Sequence, residues 1–214
     1  MNNQKYSHII WDWNGTLLDD TKWCIKSANI VLKKRGLPII QSISEYRKMF
    51  CFPIMKFYER LGLDFSQEPF EELAKEYIRH YHSNKSGDIH LHKNAKTVLD
   101  YFKKQGISQV VLSASEQSNL LSQANEFEVA DYFDEILGLS NIYAKSKIDI
   151  GLDYMSRKNI TNAILIGDTD HDHQVAKALG IDCVLISNGH QDREILKNCG
   201  VPVLNDISCI IKYG

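Results

Sequence analysis

Four short, almost uninterrupted apolar runs punctuate the chain: SHIIWDW near the N-terminus, SQVVLSAS from Ser108, AILIGD from Ala163 and CVLIS from Cys183. Compact runs of this kind, rich in β-branched residues, suit parallel strands buried on both faces. From about Ile107 onward they alternate with helix-like stretches such as HQVAKALG, a β-α-β-α-β order. That order predicts an α/β fold with a Rossmann-like, doubly wound parallel sheet.

Between Asp20 and roughly His90 the pattern changes. No strand-like run occurs, and apolar residues recur at helical spacing in WCIKSANIVLKKRG, YRKMFCFPIMKFYERLG and FEELAKEYIRHYHS. Gly36, Pro38, Pro53, Gly62, Pro69 and Gly87 break this stretch into four expected helices. The chain therefore reads as an α/β core, residues 1–18 and 91–214, interrupted by an all-helical cap, residues 19–90. Hinges are expected near Leu18–Thr21 and Gly87–His92.

Composition narrows the picture modestly. The 214 residues are 43% hydrophobic and 24% charged, with a formal net charge of -2, which excludes collagen-like and intrinsically disordered chains. Near-neutral charge without a long basic run speaks against nucleic acid as the main partner. No apolar stretch approaches the roughly 20 residues that span a bilayer, and the N-terminus lacks a signal-peptide pattern. Five scattered cysteines, Cys24, Cys51, Cys183, Cys199 and Cys209, form no CxxC pair. Free thiols and a cytoplasmic setting are the expectation, with a monomer or homodimer.

The candidate chemistry sits at the ends of the apolar runs, where ligands bind in open α/β sheets. Asp12 ends the first run and precedes a Gly15-Thr16 turn; taken alone it could simply cap that turn. Asp168 and Asp172 follow the third run after a glycine, although Asp168 could instead N-cap the next helix. Carboxylates gathered at strand ends repel one another unless a hard divalent cation, such as Mg²⁺, neutralises them. Ser113, with Ser115 after it, ends the second run where a hydroxyl and free N–H groups suit an anionic oxygen. Lys145 and Lys147 in AKSK offer a balancing cation, or lie solvated at the surface.

The order Asp, Ser, Lys, Gly-Asp, written here as IIWDWNGT, VVLSAS, AKSK and LIGDTDHD, resembles the haloacid dehalogenase superfamily of phosphatases. The stretches LLDD, FPIMKFYERLG and ISNGHQDRE look most like its phosphoglycolate-phosphatase-like branch, which carries a helical cap. The resemblance implies Mg²⁺-dependent hydrolysis of a small phosphorylated metabolite, with Asp12 as the nucleophile that forms an aspartyl-phosphate. It assigns phosphoryl binding to Gly15, Ser113, Ala114 and Lys147, with Thr16 stabilising the loop. Lys147 is preferred over Lys145 because it directly precedes the IDIGLDYM helix. Metal would be held by Asp12, Asp168 and the main-chain carbonyl of Asn14, with Asp172 binding through water or orienting Lys147.

One position departs from the family pattern. The family usually carries Asp two residues after the nucleophile as general acid and base, and this chain has Asn14. An amide cannot exchange that proton as an ionisable group, a loss that typically costs about 10²–10⁴-fold in rate. Three readings follow: a substrate with a good leaving group (an acyl phosphate, a phosphoanhydride or an aryl phosphate), a substitute acid such as Asp19, Asp20 or a cap residue, or a slow or non-catalytic phospho-ligand sensor. A metal-free dehalogenase and a mutase fit the motifs less well. Elsewhere, Arg47 is a candidate clamp for a second anionic group on the substrate. Lys48 and Lys56 read as solvated. The pairs His90/His92 and His171/His173 read as packed or solvated, with His171 near enough to GDTDHD to touch the site. Trp13 lines the cap interface or packs against the sheet.

Overall fold

The computed structural model describes residues 5–83, 87–143 and 146–213. Lys145 lies outside the described residues. A six-stranded, wholly parallel sheet forms the centre, in the order β5-β4-β1-β6-β7-β8. Its strands are β1 (His8–Trp11), β4 (Ser108–Glu116), β5 (Glu135–Leu139), β6 (Ala163–Gly167), β7 (Asp182–Ile186) and β8 (Val203–Leu204). Two of them, β5 and β8, are edge strands that the apolar runs do not announce. In β5 four of the five residues are only half-buried, and β8 has two residues, so neither leaves a continuous apolar run.

The central strands are apolar throughout because both faces are covered. Ile9, Trp11, Val111, Ile164, Ile166, Val184 and Ile186 pack into one core with α5 (Ala95–Lys104), α6 (Gln117–Glu126) and a closing 3-10 segment, Ile207–Tyr213. Their neighbours Ile10, Val110, Leu112, Leu165, Cys183 and Leu185 pack into a second core with α7 (Ile148–Lys158), α8 (Asp170–Leu179) and α9 (Arg193–Lys197). The period-2 alternation of a strand thus divides the same run between two helical layers. Helix α5, absent from the pattern-based outline, supplies Val98, Leu99 and Phe102 to the first core.

After β1 the chain crosses into the helical cap through β2 (Leu18–Asp19) and returns through β3 (His90–Leu91). The two strands pair antiparallel, Leu18 with Leu91 and Asp19 with His90. Between them lie four helices: α1 (Thr21–Lys34), α2 (Ile43–Met49), α3 (Ile54–Arg60) and α4 (Phe70–His82). They share a hydrophobic cluster of their own, with Val31, Leu32, Tyr46, Phe57, Tyr58 and Leu73 among its buried members. Lys34, the last residue of α1, and Arg35, its C-cap, both donate to Glu76 of α4 at 2.9 Å, fastening the two longest cap helices. No helix among the described residues is long and apolar enough to cross a membrane, and all five cysteines are free thiols.

Candidate active site

Sheet register decides which side chains meet. Trp11 pairs with Val111 of β4 and with Ile166 of β6, so Asp12 leaves the sheet level with Leu112 and Gly167. Ser113 and Asp168 follow one residue later on the two flanking strands. The sheet order reverses at β1, and the crevice outside such strand ends is where open α/β folds bind ligands. Asp12, Ser113, Lys147, Asp168 and Asp172 all line one cavity there, of about 170 Å³, with the cap on its far side.

Lys147 stands at the N-cap position of α7, where the helix dipole disfavours a cation. Its ammonium instead reaches back into the sheet, donating to Asp12 Oδ1 at 2.5 Å and to the Leu112 carbonyl at 2.8 Å, and pairing with Asp172 Oδ1 at 2.7 Å. Burial would lower its pKa, but the two carboxylates raise it overall. Burial pushes Asp12 up to about 6, against the pull of Lys147. Asp172 also accepts from the Thr169 hydroxyl at 2.6 Å and the Thr169 N–H at 3.0 Å. These bonds belong to a capping box in which Thr169, not Asp168, is the N-cap of α8. The alternative of Asp168 as a helix cap is thereby corrected: its carboxylate faces the cavity.

Asp168 accepts from Thr16 Oγ1 at 3.2 Å and from the His190 N–H at 2.6 Å, and has no ion-pair partner among the described residues. Burial raises its pKa well above the carboxylate range. Oxygens of Asp12, Asp168 and Asp172 lie within 4.8 Å of one another. Counting Asp20, four buried carboxyl groups on the cavity face two buried cations, Lys147 and His190, and full ionisation would leave two negative charges without a partner. An all-oxygen donor set with that excess fits one hard divalent cation.

Gly15 turns the chain at φ +81°, and a Cβ there would come within 2.2 Å of Asp168 Oδ2, so only glycine serves. Its carbonyl accepts from His92 Nε2 at 3.0 Å, which makes His92 a packed strut for the loop. His90 lies at the surface beside Asp19. Trp13 is fully buried in the core, bonded to Gln123 Oε1 at 2.9 Å. His171 lines the cavity, stacked on Phe52 with centroids 4.6 Å apart, and burial lowers its pKa.

The Asn14 side chain is fixed at both ends. Its Nδ2 donates to Asp20 Oδ2 at 2.8 Å, and its Oδ1 accepts from Ser115 Oγ at 2.6 Å. Asp20 occupies the N-cap position of α1 yet makes no side-chain cap bond. It points into the cavity, accepting from Tyr81 OH at 2.7 Å and from His190 Nε2 at 3.0 Å, while His190 Nδ1 donates to Tyr46 OH at 2.9 Å. Burial opposes both charges, but the mutual attraction prevails, lowering Asp20 and raising His190 to about 9. A carboxylate at position 14 would lie against that of Asp20; the amide and Asp20 form a matched pair.

Arg47 is a correction. Its guanidinium does not reach the cavity: Nε donates to the Gly189 carbonyl at 2.7 Å and a terminal nitrogen to the Asn188 carbonyl at 2.5 Å. A planar fork matches two successive main-chain carbonyls, so the residue bolts α2 to the loop after β7. Sequence reasoning missed His190, which lies in the loop after β7, four residues beyond the strand end, whereas Asp12 and Asp168 directly follow theirs. Tyr46 and Tyr81 left no signal, being aromatic positions on amphipathic helices.

The sequence profile of the haloacid dehalogenase-like hydrolases matches residues 9–186. The chain belongs to that family. It is 19% identical over 207 residues to a phosphoglycolate phosphatase from Aliivibrio fischeri, covering 92% of this chain and 91% of that protein. A Neisseria meningitidis protein of the same name is 24% identical over 197 residues, covering 88% and 83% of the two chains. These relatives place this haloacid dehalogenase-like hydrolase in the phosphoglycolate-phosphatase-like branch. A solved haloacid dehalogenase-like hydrolase from Streptococcus pneumoniae superposes with a TM-score of 0.83 at 22% identity, covering 98% of each chain.

Proposed function

We propose that this chain is a Mg²⁺-dependent phosphatase acting on a small phosphorylated metabolite through an aspartyl-phosphate on Asp12. The observation that carries the reading is the buried cluster of Asp12, Lys147, Asp172 and Asp168 on one cavity. The names of the relatives, all phosphoglycolate phosphatases, support the reaction class. In this reading residues 1–18 and 91–214 hold the chemistry and residues 19–90 close over it.

Asp12 attacks phosphorus in line, forming an acyl phosphate as the bond to the leaving oxygen breaks. That oxygen departs with the electron pair and takes a proton from water. A second water then attacks phosphorus, loses its proton to solvent, and restores the carboxylate with release of inorganic phosphate. Lys147 holds Asp12 in place and faces the transferring group, Asp172 orients Lys147, and Ser113 and the Ala114 backbone receive a phosphoryl oxygen. Asp12, Asp168 and the main-chain carbonyl of Asn14 would hold Mg²⁺, which offsets charge on the phosphoryl oxygens. Asn14 supplies position and no ionisable proton.

The test is phosphate release from phenyl phosphate and a metabolite panel with Mg²⁺ and with chelator. Asp12→Asn is expected to lower turnover by roughly 10³-fold or more, as removal of a covalent nucleophile does, while leaving the circular dichroism spectrum unchanged. Asn14 also motivates a non-catalytic, phospho-ligand-binding role. Ligand-dependent thermal stabilisation without turnover on any substrate would decide for that role and against the phosphatase.

A further inference from the structure

The two walls of the cavity differ in kind. The core wall is charged. The cap wall is built from Phe50, Phe52, Ile54, Phe57, Phe70 and Ile78, with tyrosine rings between them. Among the described residues lining the cavity the cations are Lys147 and His190, each already bound to carboxylates: Lys147 to Asp12 and Asp172, His190 to Asp20. Arg47, the cation on the neighbouring cap helix, is spent on main-chain carbonyls. Glu116 adds a further carboxylate to the lining. A second anionic group on the substrate, such as the carboxylate of phosphoglycolate, would find neutral polar groups such as Ser115, Asn119 and Gln123, but no uncommitted cation among the described lining residues. Burying an unpaired charge in such surroundings is strongly unfavourable.

We infer that the substrate is a phosphate monoester with an uncharged, apolar leaving group of about one aromatic ring, an aryl phosphate being the favoured class. The inference rests on the phosphatase reading and narrows it. Size sets a limit: the cavity, about 170 Å³ in all, must also take the phosphoryl group, so it leaves room only for a small body. The chemistry agrees independently. Asn14 has no proton to give, and a phenol, with a pKa near 10 like that of tyrosine, leaves as phenolate far more readily than an alcohol. The phenolate carries the electron pair of the broken phosphorus–oxygen bond and is protonated by water after release. Rings stacked at the cap wall would hold it by offset or edge contacts.

The test compares kcat/KM for phenyl phosphate, benzyl phosphate and phosphoglycolate with Mg²⁺. Phenyl phosphate is expected to exceed phosphoglycolate at least tenfold. Benzyl phosphate should share the KM of phenyl phosphate but have a lower kcat, separating the fit of the ring from the ease of departure. Ile78→Arg, a half-buried position on the cap wall, should shift the phenyl-to-phosphoglycolate ratio at least tenfold toward phosphoglycolate. Binding of benzylphosphonate against phosphonoacetate, read by thermal shift on the unaltered protein, gives the same comparison without turnover. Phosphoglycolate turned over as well as phenyl phosphate would overturn the substrate class and leave the phosphatase reading standing. Preferential binding of benzylphosphonate with no release of phosphate from any ester would uphold the ligand class and overturn the phosphatase. No release and no preference would overturn both.

Discussion

The core wall and the cap wall of the cavity were built by different rules. On the core side, Asp12, Lys147 and Asp168 sit at strand or helix termini and Ser113 lies in β4 just past its pairing with β1, and backbone register brings Asp12, Ser113 and Asp168 together to within one residue of the same level. Its side chains are locked by hydrogen bonds and ion pairs. On the cap side the surface is a patchwork of rings from three helices and their connections, with few polar atoms and no strand to index them. In the proposed function the first arrangement would set what reaction is possible, the second which molecule undergoes it. One is a matter of charge placed to a fraction of an ångström, the other of shape.

The largest effect that would test this contrast lies on the core side. Lys147→Ala leaves Asp12 and Asp172 buried without their ammonium, and breaking a buried pair from one side costs about 3–5 kcal/mol. Urea denaturation in the presence of EDTA should show that loss. An unchanged midpoint would mean that the core wall tolerates naked charge and the contrast is overdrawn. Next in size is the seam between the walls. Asn14→Asp sets two carboxylates against each other, and should destabilise the fold by about 1–3 kcal/mol unless Asp20→Asn accompanies it. The double-mutant cycle over positions 14 and 20 is therefore expected to show coupling of about 1 kcal/mol or more. Additive effects would refute the matched pair. The smallest effect belongs to the cap: Phe52→Ala removes the ring stacked on His171 and should raise KM for phenyl phosphate roughly threefold to tenfold with kcat nearly unchanged. A fall in kcat with constant KM would place Phe52 with the chemistry.

The same contrast explains what could be read from the chain. Strand ends announce themselves: a buried parallel strand is a run of apolar residues, and the first polar residue after it stands at the crevice. Asp12 and Asp168 were legible for that reason; Ser113 ends the apolar run, although β4 itself continues to Glu116, and four cap helices followed from the glycine and proline breaks. Edge strand β5 was hidden because one flank is open, so its side chains need not be continuously apolar. Asp20 could be named as a carboxylate near the site, but not its bond to His190 from 170 positions away, which exists only once the cap has folded over the core. Arg47 was misjudged for a related reason. A cation has several attractive partners, and the pair of carbonyls at Asn188 and Gly189 that claims it is visible only in three dimensions.

Asp168 is gripped more closely than its hydrogen bonds alone describe. Gly15 approaches it from the loop after β1 and Gly189 from the loop after β7, and a Cβ on either would fall 2.2 Å from Oδ2. With backbone against two sides, the Thr16 hydroxyl on one oxygen and the His190 amide on the other, the carboxylate has no alternative rotamer to visit. Its conformational entropy is lost when the chain folds, not when a cation arrives. A cation held there, as proposed, would order nothing new at that carboxylate.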